Sequence, residues 1–292
     1  MMETLPNSLP AKVGVLGGGR MGAGIAHAFL VNGCDVVVVE RDEASAQGAR
    51  ERVESAAAKS IERGSVDGNL GEMLTRFDVS VDYAAFADRG LVVEAVPEIW
   101  DLKVSSLKNV EDNLRTDAIL ASNTSSLSMS GLAAELQRPE NFLGLHFFNP
   151  VPASTLIEVV IAKQSAEEVI TKARGWVTAL GKTAVVVNDA PGFASSRLGV
   201  AIALEAMRMV EEGVASAQDI DNAMVLGYKH PTGPLKTTDI VGLDVRLGIA
   251  EYLHQTLGDR FAPPQILRDL VEQGHLGRKT GRGFYDWSES AS

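Results

Sequence analysis

Apolar residues in the first two thirds of the chain form short uninterrupted runs, with helical patterns of apolar and polar positions between them. Continuous apolar runs are typical of parallel strands that are covered on both faces of a sheet. The clearest example is residues 35–40, which contain four consecutive valines. The pattern predicts strands at residues 12–17, 35–40, 76–81, 91–95, 118–122, 142–145, 156–161 and 183–187.

Helices are predicted between these runs, at residues 21–31, 43–63, 100–113 and 166–180. Strands that alternate with helices predict an α/β fold around a mostly parallel sheet. The stretch after the second strand is longer than a simple crossover, because Gly64, Gly68 and Gly71 follow the alanine-rich helix and a shorter helix comes next. We interpret it as an inserted helical arm. The pattern alone leaves open whether the arm is only a solvated hairpin.

The character of the chain changes near residue 188, after which helical patterns dominate and no strand is predicted. A long helix, predicted at residues 194–212, is apolar nearly all round and ends before Gly213. A helix of this kind is buried, either inside its own domain or against a second subunit. Ser216 and Asp219 form a capping-box-like start for the next helix. We therefore predict an all-α C-terminal domain.

The bulk composition narrows the class of protein. The chain has 292 residues, of which 45% are hydrophobic, and a net charge of -11, which argues against a nucleic-acid partner. A single cysteine, Cys34, excludes an internal disulfide framework and a cysteine-based metal cluster. The first residues lack the basic and apolar regions of a signal peptide, and no apolar stretch reaches the roughly 18 residues of a membrane span. We expect a soluble cytoplasmic protein that contacts no membrane and needs no metal.

A glycine motif lies between the first strand and the first helix, at residues 17–22 (GGGRMG). In this strand–loop–helix context it predicts a dinucleotide site. Gly17 permits the tight turn, Gly19 lets the backbone approach the pyrophosphate, and Gly22 allows close packing of helix and sheet. The helix N-terminus offers N–H groups to the phosphates. The cofactor-binding candidates of this loop are Gly17, Gly19, Arg20, Met21 and Gly22.

The motif makes the first domain, residues 1–188, a Rossmann-like domain, and residues 189–292 form the helical domain. Glu40 ends the second strand, 18 residues after Gly22. An acidic residue at this place accepts hydrogen bonds from the adenosine ribose and repels a 2′-phosphate, which favours NAD over NADP. Arg41 is the counter-argument, because an arginine there can accommodate that phosphate.

His146 differs from the other four histidines, because it ends a predicted strand at the carboxyl side of an α/β sheet, where ligands bind. Glu158 lies in the next predicted strand among apolar neighbours, and a carboxylate there needs a partner. We expect His146 to be that partner, with its tautomer fixed by the carboxylate. Such a pair can take a proton from an alcohol while a hydride leaves for nicotinamide. The alternative is a purely structural pair.

Several motifs together resemble the L-3-hydroxyacyl-CoA dehydrogenase family, which includes bacterial 3-hydroxybutyryl-CoA dehydrogenases. The resemblance runs nearly end to end and is specific only because the motifs occur together. They lie at residues 17–22, 92–98 (VVEAVPE), 121–127 (ASNTSSL), 144–150 (GLHFFNP), 191–193 (PGF) and 277–285 (GRKTGRGFY).

The resemblance implies that His146 is the general base for the 3-hydroxyl group, that Glu158 orients it, and that Ser125 contacts the substrate. It places further cofactor contacts at Ala95, Glu98, Lys103 and Asn123. It also implies that the arm contacts the CoA moiety, where Lys59 and Arg63 lie one turn apart, and that the helical domain forms a homodimer.

One position departs from the family pattern. The family's Pro-Gly-Phe-x-x-Asn-Arg has an asparagine that donates a hydrogen bond to the substrate oxygen, and Ser196 stands in its place here. A serine hydroxyl can also donate, but its reach is shorter. We expect Ser196 to help polarise the substrate oxygen, and the substitution puts rate and acyl preference in doubt more than reaction type.

The predicted function is the reversible oxidation of a short-chain (S)-3-hydroxyacyl-CoA by NAD, in fatty-acid or related acyl-CoA metabolism. One alternative is a dehydrogenase of a free hydroxy acid or sugar acid, similar to gulonate dehydrogenases and lambda-crystallin. Another is a non-catalytic NAD-binding sensor, which only the Ser196 departure supports.

Overall fold

The computed structural model describes residues 8–288, and the chain divides into two compact units after Asp189. The first unit is built on one sheet of eight strands, so every predicted strand is present. The sixth strand is two residues longer than predicted and includes His146. The strands are β1 (Lys12–Leu16), β2 (Asp35–Val39), β3 (Phe77–Ser80), β4 (Leu91–Glu94), β5 (Ile119–Ser122), β6 (Phe142–Phe147), β7 (Leu156–Ile161) and β8 (Thr183–Asn188).

The strand order is β3-β2-β1-β4-β5-β6-β7-β8, and all neighbouring strands are parallel except β6 and β7. The first six strands follow the doubly wound order, in which the chain changes direction across the sheet between β1 and β4. This switch opens a crevice at the carboxyl ends of the strands. Because β7 runs against β6, it begins at the same edge at which β6 ends.

Helices cover the sheet, and those that the sequence predicts are all present within two residues. The extra helix α5 is only five residues long, too short to give a periodic signal, and the Ser128 side chain caps it by accepting from Gly131 N. The helices of this unit are α1 (Arg20–Val31), α2 (Glu43–Glu62), α3 (Leu70–Leu74), α4 (Trp100–Asn113), α5 (Met129–Ala133) and α6 (Glu167–Ala179).

The inserted arm consists of α2 and α3, and it is packed rather than free-standing. Asp42 caps α2, its side chain accepting from Ser45 N at 2.7 Å. The buried face of α2 packs on α1, and its positions recur every three or four residues, which is the spacing of one helix face. These positions are Ala46, Ala49, Val53, Ala57 and Ser60. This face of α2 is therefore part of the first unit's core.

The second unit is helical, as predicted, and its described residues contain no strand beyond two isolated bridges. Its longest helix, α7, buries one face that includes Leu204 and Met207, while Leu198 is 63% exposed on another face. Burial inside the unit therefore covers only part of this apolar helix. The helices are α7 (Ser195–Glu211), α8 (Ala217–Asn222), α9 (Pro234–Val241), α10 (Leu243–Leu257) and α11 (Gln265–Glu272), with a π-helical turn at Ala223–Gly227.

The motif at residues 277–285 folds around one buried carboxylate of the second unit. Asp239 accepts hydrogen bonds from Phe284 N and Tyr285 N at 2.9 Å and from Trp287 Nε1 at 2.8 Å. A Cβ at Gly277 or Gly283 would lie 2.2 Å from atoms of Asp239. These glycines are therefore explained by a close approach that any side chain would block.

Candidate active site

The carboxyl ends of β1, β2, β4, β5 and β6 meet at one edge of the sheet, and β7 begins there. The candidate residues of the first unit follow from this geometry. Glycine residues 17–22 come directly after β1, Glu40 follows β2, and Glu98 lies in the loop after β4. The loop after β5 carries Ser125, and β6 brings His146 to the edge. The sheet thus gathers residues that are up to 129 positions apart in sequence, from Gly17 to His146.

The glycine loop is open on the side where a phosphate would approach. Gly17 has φ +89°, and a Cβ there would lie 3.1 Å from Ala95 O. A Cβ at Gly22 would lie 1.7 Å from Gly17 O, so only glycine allows this packing. A Cβ at Gly19, in contrast, would meet no protein atom within 4 Å. The protein's own packing does not require glycine at that position, which fits a ligand that comes close to the backbone.

The first turn of α1 supplies the donors for such a ligand. Gly19 is the N-cap of α1, and no side chain caps this end. The first N–H groups of a helix have no partner within the helix, and its dipole favours an anion there. Arg20 and Met21 follow at the start of α1, with Arg20 exposed. This end of the helix therefore fits the pyrophosphate of a dinucleotide.

Glu40 lies beside this loop, where the sequence predicts a ribose contact. Its Oε1 accepts from Gly18 N at 2.7 Å, and its Oε2 accepts from Arg41 N at 3.2 Å. The Arg41 side chain is exposed and pairs with Asp42 at 3.0 Å. Arg52 of α2, which belongs to none of the sequence motifs, donates to Gly18 O at 3.1 Å. Nothing in the local sequence around Arg52 indicates this contact, because it depends on how α2 packs.

Glu98 organises the loop that follows β5. Its Oε1 accepts from Ser125 N at 2.9 Å, from Ser126 N at 3.1 Å and from the hydroxyl groups of Thr124 and Ser126. Burial works against ionisation of Glu98, but Lys103 and these donors outweigh it, so the pKa of Glu98 lies below its usual value. Glu98 therefore remains an anion at neutral pH and holds the Ser125 loop in place.

Lys103 lies beneath this loop. Its side chain is 1% exposed, and its Nζ is 2.7 Å from Glu94 Oε1, 3.0 Å from Val96 O and 3.3 Å from Glu98 Oε2. The sequence predicts that Lys103 belongs to the cofactor site. In the structure it lies next to Glu98, on the side away from solvent. Its influence on a bound cofactor would pass through Glu98.

His146 and Glu158 face each other across the antiparallel joint between β6 and β7. They are paired in register, and His146 Nδ1 lies 2.8 Å from Glu158 Oε2. Both side chains are buried, Glu158 completely. The carboxylate accepts the proton of Nδ1, which makes Nε2 the basic nitrogen of the ring. The Phe148 ring lies 4.3 Å from the imidazole, centroid to centroid.

Asn123 connects the end of β5 to the end of β6. Its Oδ1 accepts from Phe147 N, the residue after His146, at 2.8 Å. Its own N–H donates to Glu94 O at 2.8 Å. Asn123 thus fixes the backbone beside the histidine, a contribution that the motif alone does not reveal.

The remaining candidates lie outside this edge or in the other unit. Ser196 is half-buried in the first turn of α7, in the second unit. Lys59 and Arg63 are exposed at the end of α2, on either side of Ser60. Ser60 Oγ is 2.9 Å from Nε2 of the buried His27 on α1, which anchors this end of the arm.

Comparison with known proteins identifies the family. The model of the 3-hydroxyacyl-CoA dehydrogenase NAD-binding domain matches residues 12–190, and the model of that family's C-terminal domain matches residues 192–287. The chain belongs to the 3-hydroxyacyl-CoA dehydrogenase family. It is an NAD-dependent oxidoreductase, and the predicted fold, enzyme class and cofactor are confirmed.

Individual relatives match over almost the whole chain. A probable 3-hydroxybutyryl-CoA dehydrogenase of Deinococcus radiodurans is 40% identical over 94% of this chain and 100% of its own length. The mitochondrial hydroxyacyl-coenzyme A dehydrogenase of Sus scrofa is 37% identical over 94% of this chain and 90% of its own. The crystal structure of (S)-3-hydroxybutyryl-CoA dehydrogenase from Ralstonia eutropha has a TM-score of 0.91 at 37% identity, and covers 96% of this chain and 99% of that chain.

Two further findings bear on the expected partners. Among residues 8–288, no helix has the length and apolar character needed to span a bilayer. The same residues contain no group of three or more histidine, cysteine, aspartate or glutamate side chains arranged to hold a metal ion.

Proposed function

We propose that the protein catalyses the reversible oxidation of a short-chain (S)-3-hydroxyacyl-CoA to the 3-ketoacyl-CoA with NAD. The observation that carries the proposal is the buried His146–Glu158 pair, with its 2.8 Å contact, at the same sheet edge as the open glycine loop. A base and a hydride acceptor at one edge are the two requirements for oxidising a secondary alcohol.

The cofactor, when bound, supplies the acceptor for the hydride that leaves C3 of the substrate. His146 takes the hydroxyl proton on Nε2 and becomes an imidazolium. Glu158 stabilises that cation through the hydrogen bond on Nδ1, and because Glu158 is fully buried the interaction is weakly screened. In the reverse direction His146 returns the proton to the alkoxide, while Ser125 donates a hydrogen bond to the same oxygen.

The remaining assignments complete this proposal. Glu40 binds the adenosine ribose, and the N-terminus of α1 binds the pyrophosphate. Lys59 and Arg63 attract phosphate groups of CoA, as the exposed end of α2 allows. The enzyme works in the cytoplasm as a homodimer joined through the helical unit, in fatty-acid oxidation or a related acyl-CoA pathway.

The deciding experiment follows NADH absorbance with acetoacetyl-CoA, free acetoacetate or gulonate-type acids. Rapid oxidation of NADH with the CoA ester alone is the expected result. Turnover with a free acid instead would favour the alternative represented by gulonate dehydrogenases. Measurable NADH binding without turnover of any substrate would favour a sensor and would make Ser196 the first residue to restore to asparagine.

A further inference from the structure

Glu94, the last residue of β4, is a completely buried carboxylate for which the proposed chemistry has no direct use. Its Oε1 accepts from Lys103 Nζ and from Val96 N, each at 2.7 Å, and its Oε2 accepts from Ser122 Oγ at 2.6 Å. Glu94 therefore joins the ends of β4 and β5 to the first turn of α4.

Two routes lead from Glu94 to the loop that carries Ser125. In the first, the Ser122 hydroxyl that donates to Glu94 accepts from Thr124 N at 3.2 Å. The second route passes through Lys103, whose ammonium is paired with Glu94 and also lies 3.3 Å from Glu98 Oε2. The other oxygen of Glu98, Oε1, accepts from the Ser125 and Ser126 amides. The first route ends on Thr124 and the second on Ser125 and Ser126, which are consecutive residues of the same loop.

The buried ammonium of Lys103 is stabilised by the two carboxylates beside it, Glu94 and Glu98. Lys103 is 1% exposed, and an ammonium at that depth is stable only beside carboxylates. Without the charge on Glu94, Glu98 would be the nearest carboxylate left to Lys103, and Glu98 would have to shift toward it. The amides of the Ser125 loop would then lose the acceptor that fixes them. The position of Glu98 therefore depends on a residue that does not itself line the crevice.

We propose that Glu94 is a positioning residue that sets the affinity for NADH by fixing Glu98 through Lys103 and the Ser125 loop through Ser122. The inference rests on the proposed function only in placing the nicotinamide half of the cofactor at the ends of β4 and β5. That placement follows from the adenosine half lying beyond β2, on the other side of the switch between β1 and β4.

The test is a double-mutant cycle on NADH dissociation constants, measured by fluorescence titration without substrate. Glu94→Gln keeps the shape of the side chain but removes its charge, and we expect it to weaken NADH binding about tenfold, as Glu98→Gln should also do. In the double variant, the loop has already lost the Glu98 carboxylate that accepts from Thr124, Ser125 and Ser126, so neither Lys103 nor Ser122 can hold it in place. The double variant should therefore bind NADH within about twofold of Glu98→Gln alone.

Two outcomes would overturn the proposal. One is an unchanged NADH affinity in Glu94→Gln, and the other is a double variant whose loss equals the product of the two single losses. Glu111→Gln is the matched control, because Glu111 is a buried carboxylate on the same helix that accepts from Gln137 N and Arg138 N at its far end. It should lower the melting temperature and leave NADH affinity unchanged.

Ser122→Ala provides the same test if Glu94→Gln does not fold. It removes only the hydroxyl that joins Glu94 to Thr124 N, and we expect NADH binding to weaken about threefold in the wild-type background. In Glu98→Gln the loop has already lost the carboxylate that accepts from Thr124, Ser125 and Ser126, so Thr124 N alone no longer positions it and no further loss is expected. An equal loss in both backgrounds would contradict the proposal. None of these NADH-binding measurements uses an acyl substrate. An inactive wild type in the acetoacetyl-CoA assay would therefore refute the proposed function without deciding the role of Glu94.

Discussion

At the scale of single residues, the His146–Glu158 pair determines which nitrogen of the imidazole can act as a base. The carboxylate engages Nδ1, so the proton from the substrate must go to Nε2. The pair also separates chemistry from binding, because the cofactor contacts proposed above lie on other strands.

The first prediction concerns this pair. We expect His146→Gln and Glu158→Gln each to lower kcat by about 10²-fold or more, the usual scale of general acid–base catalysis. NADH affinity should stay within about twofold of the wild type, since neither residue lies in the glycine loop. Steady-state kinetics and fluorescence titration measure the two quantities. Loss of NADH binding in either variant would indicate a folding role instead.

Ser196 is the second target. Ser196→Ala should lower kcat/KM about three- to tenfold, which corresponds to one neutral hydrogen bond. Ser196→Asn restores the side chain typical of the family and should retain at least wild-type activity. NADH affinity serves as the control and should be unchanged in both. An unaltered kcat/KM in Ser196→Ala would show that the hydroxyl does not polarise the substrate oxygen.

The third prediction uses the buried His27, whose pKa is lowered by burial and by the nearby Lys182. The unfolded chain binds a proton on this histidine as the pH falls through about 6.5, while the folded chain resists it, so stability is complete above that pH and is lost below it. His27→Gln should therefore lose less stability than the wild type between about pH 7 and pH 5 in urea unfolding. Equal pH dependence in His27→Gln and in the wild type would contradict the prediction.

Motif and position in the predicted sheet identify His146 and Glu158 from the sequence, because register and strand direction bring them together. Glu94 and Arg52 escape sequence analysis for a different reason. Their partners lie on other elements, and an acidic or basic residue at those positions has no local pattern that distinguishes it from a solvated one. Only the packing of α4 and α2 reveals them.

At the scale of elements, the contact between α2 and the glycine loop explains a glycine that the dinucleotide motif leaves unassigned. A Cβ at Gly18 would lie 2.2 Å from Ala49 Cβ on α2. The inserted arm therefore packs directly against the phosphate-binding loop. The sequence predicts the arm and its length, but not this contact, because alanine-rich helices do not show which neighbour they pack against.

The fourth prediction compares two adjacent glycines. Gly18→Ala should lower the melting temperature by several degrees, since about 1–3 kcal/mol is typical of overpacking in a well-packed site. Gly19→Ala meets no protein atom and should leave stability unchanged while weakening NADH binding at least about tenfold. Thermal unfolding and NADH titration of both variants check this. Reversed effects would mean that Gly19, rather than Gly18, is the structural glycine.

The Ala49→Gly change gives an internal control for the steric argument. It removes the Cβ that the new side chain of Gly18→Ala would contact. The double variant Gly18→Ala/Ala49→Gly should therefore recover part of the lost stability, although glycine inside a helix lowers stability by about 1 kcal/mol. No recovery would place the strain elsewhere, on Val38, whose Cγ1 lies 3.0 Å from the same Cβ position.

At the scale of the whole molecule, the second unit leaves apolar side chains exposed on its helices. Leu198 and Ile202 lie one turn apart on α7 and are 63% and 38% exposed. The sequence predicts an apolar helix but cannot assign its faces to the interior or to a partner. The structure assigns one face to the interior, and the proposed homodimer would cover the other.

The fifth prediction tests whether a second subunit covers the exposed apolar face of α7. Leu198→Glu should shift the protein from dimer to monomer in sedimentation velocity, because an unpaired charge is strongly disfavoured in an apolar interface. Val81→Glu, a comparable change at an exposed apolar position of the first unit, should leave the assembly unchanged. A dimer that persists in Leu198→Glu would locate the subunit contact on another surface.

The reversal of direction between β6 and β7 has a consequence for how such an enzyme can diversify. His146 and Glu158 are held opposite each other by the ladder between two strands, not by the eight-residue connection that joins them. That connection emerges at the crevice edge, and it can change in length or composition without altering the alignment of acid and base. Substrate preference can therefore change through this segment while the proton-transfer geometry stays constant, whereas a one-residue slip of either strand would turn a side chain of the pair to the opposite face and end catalysis.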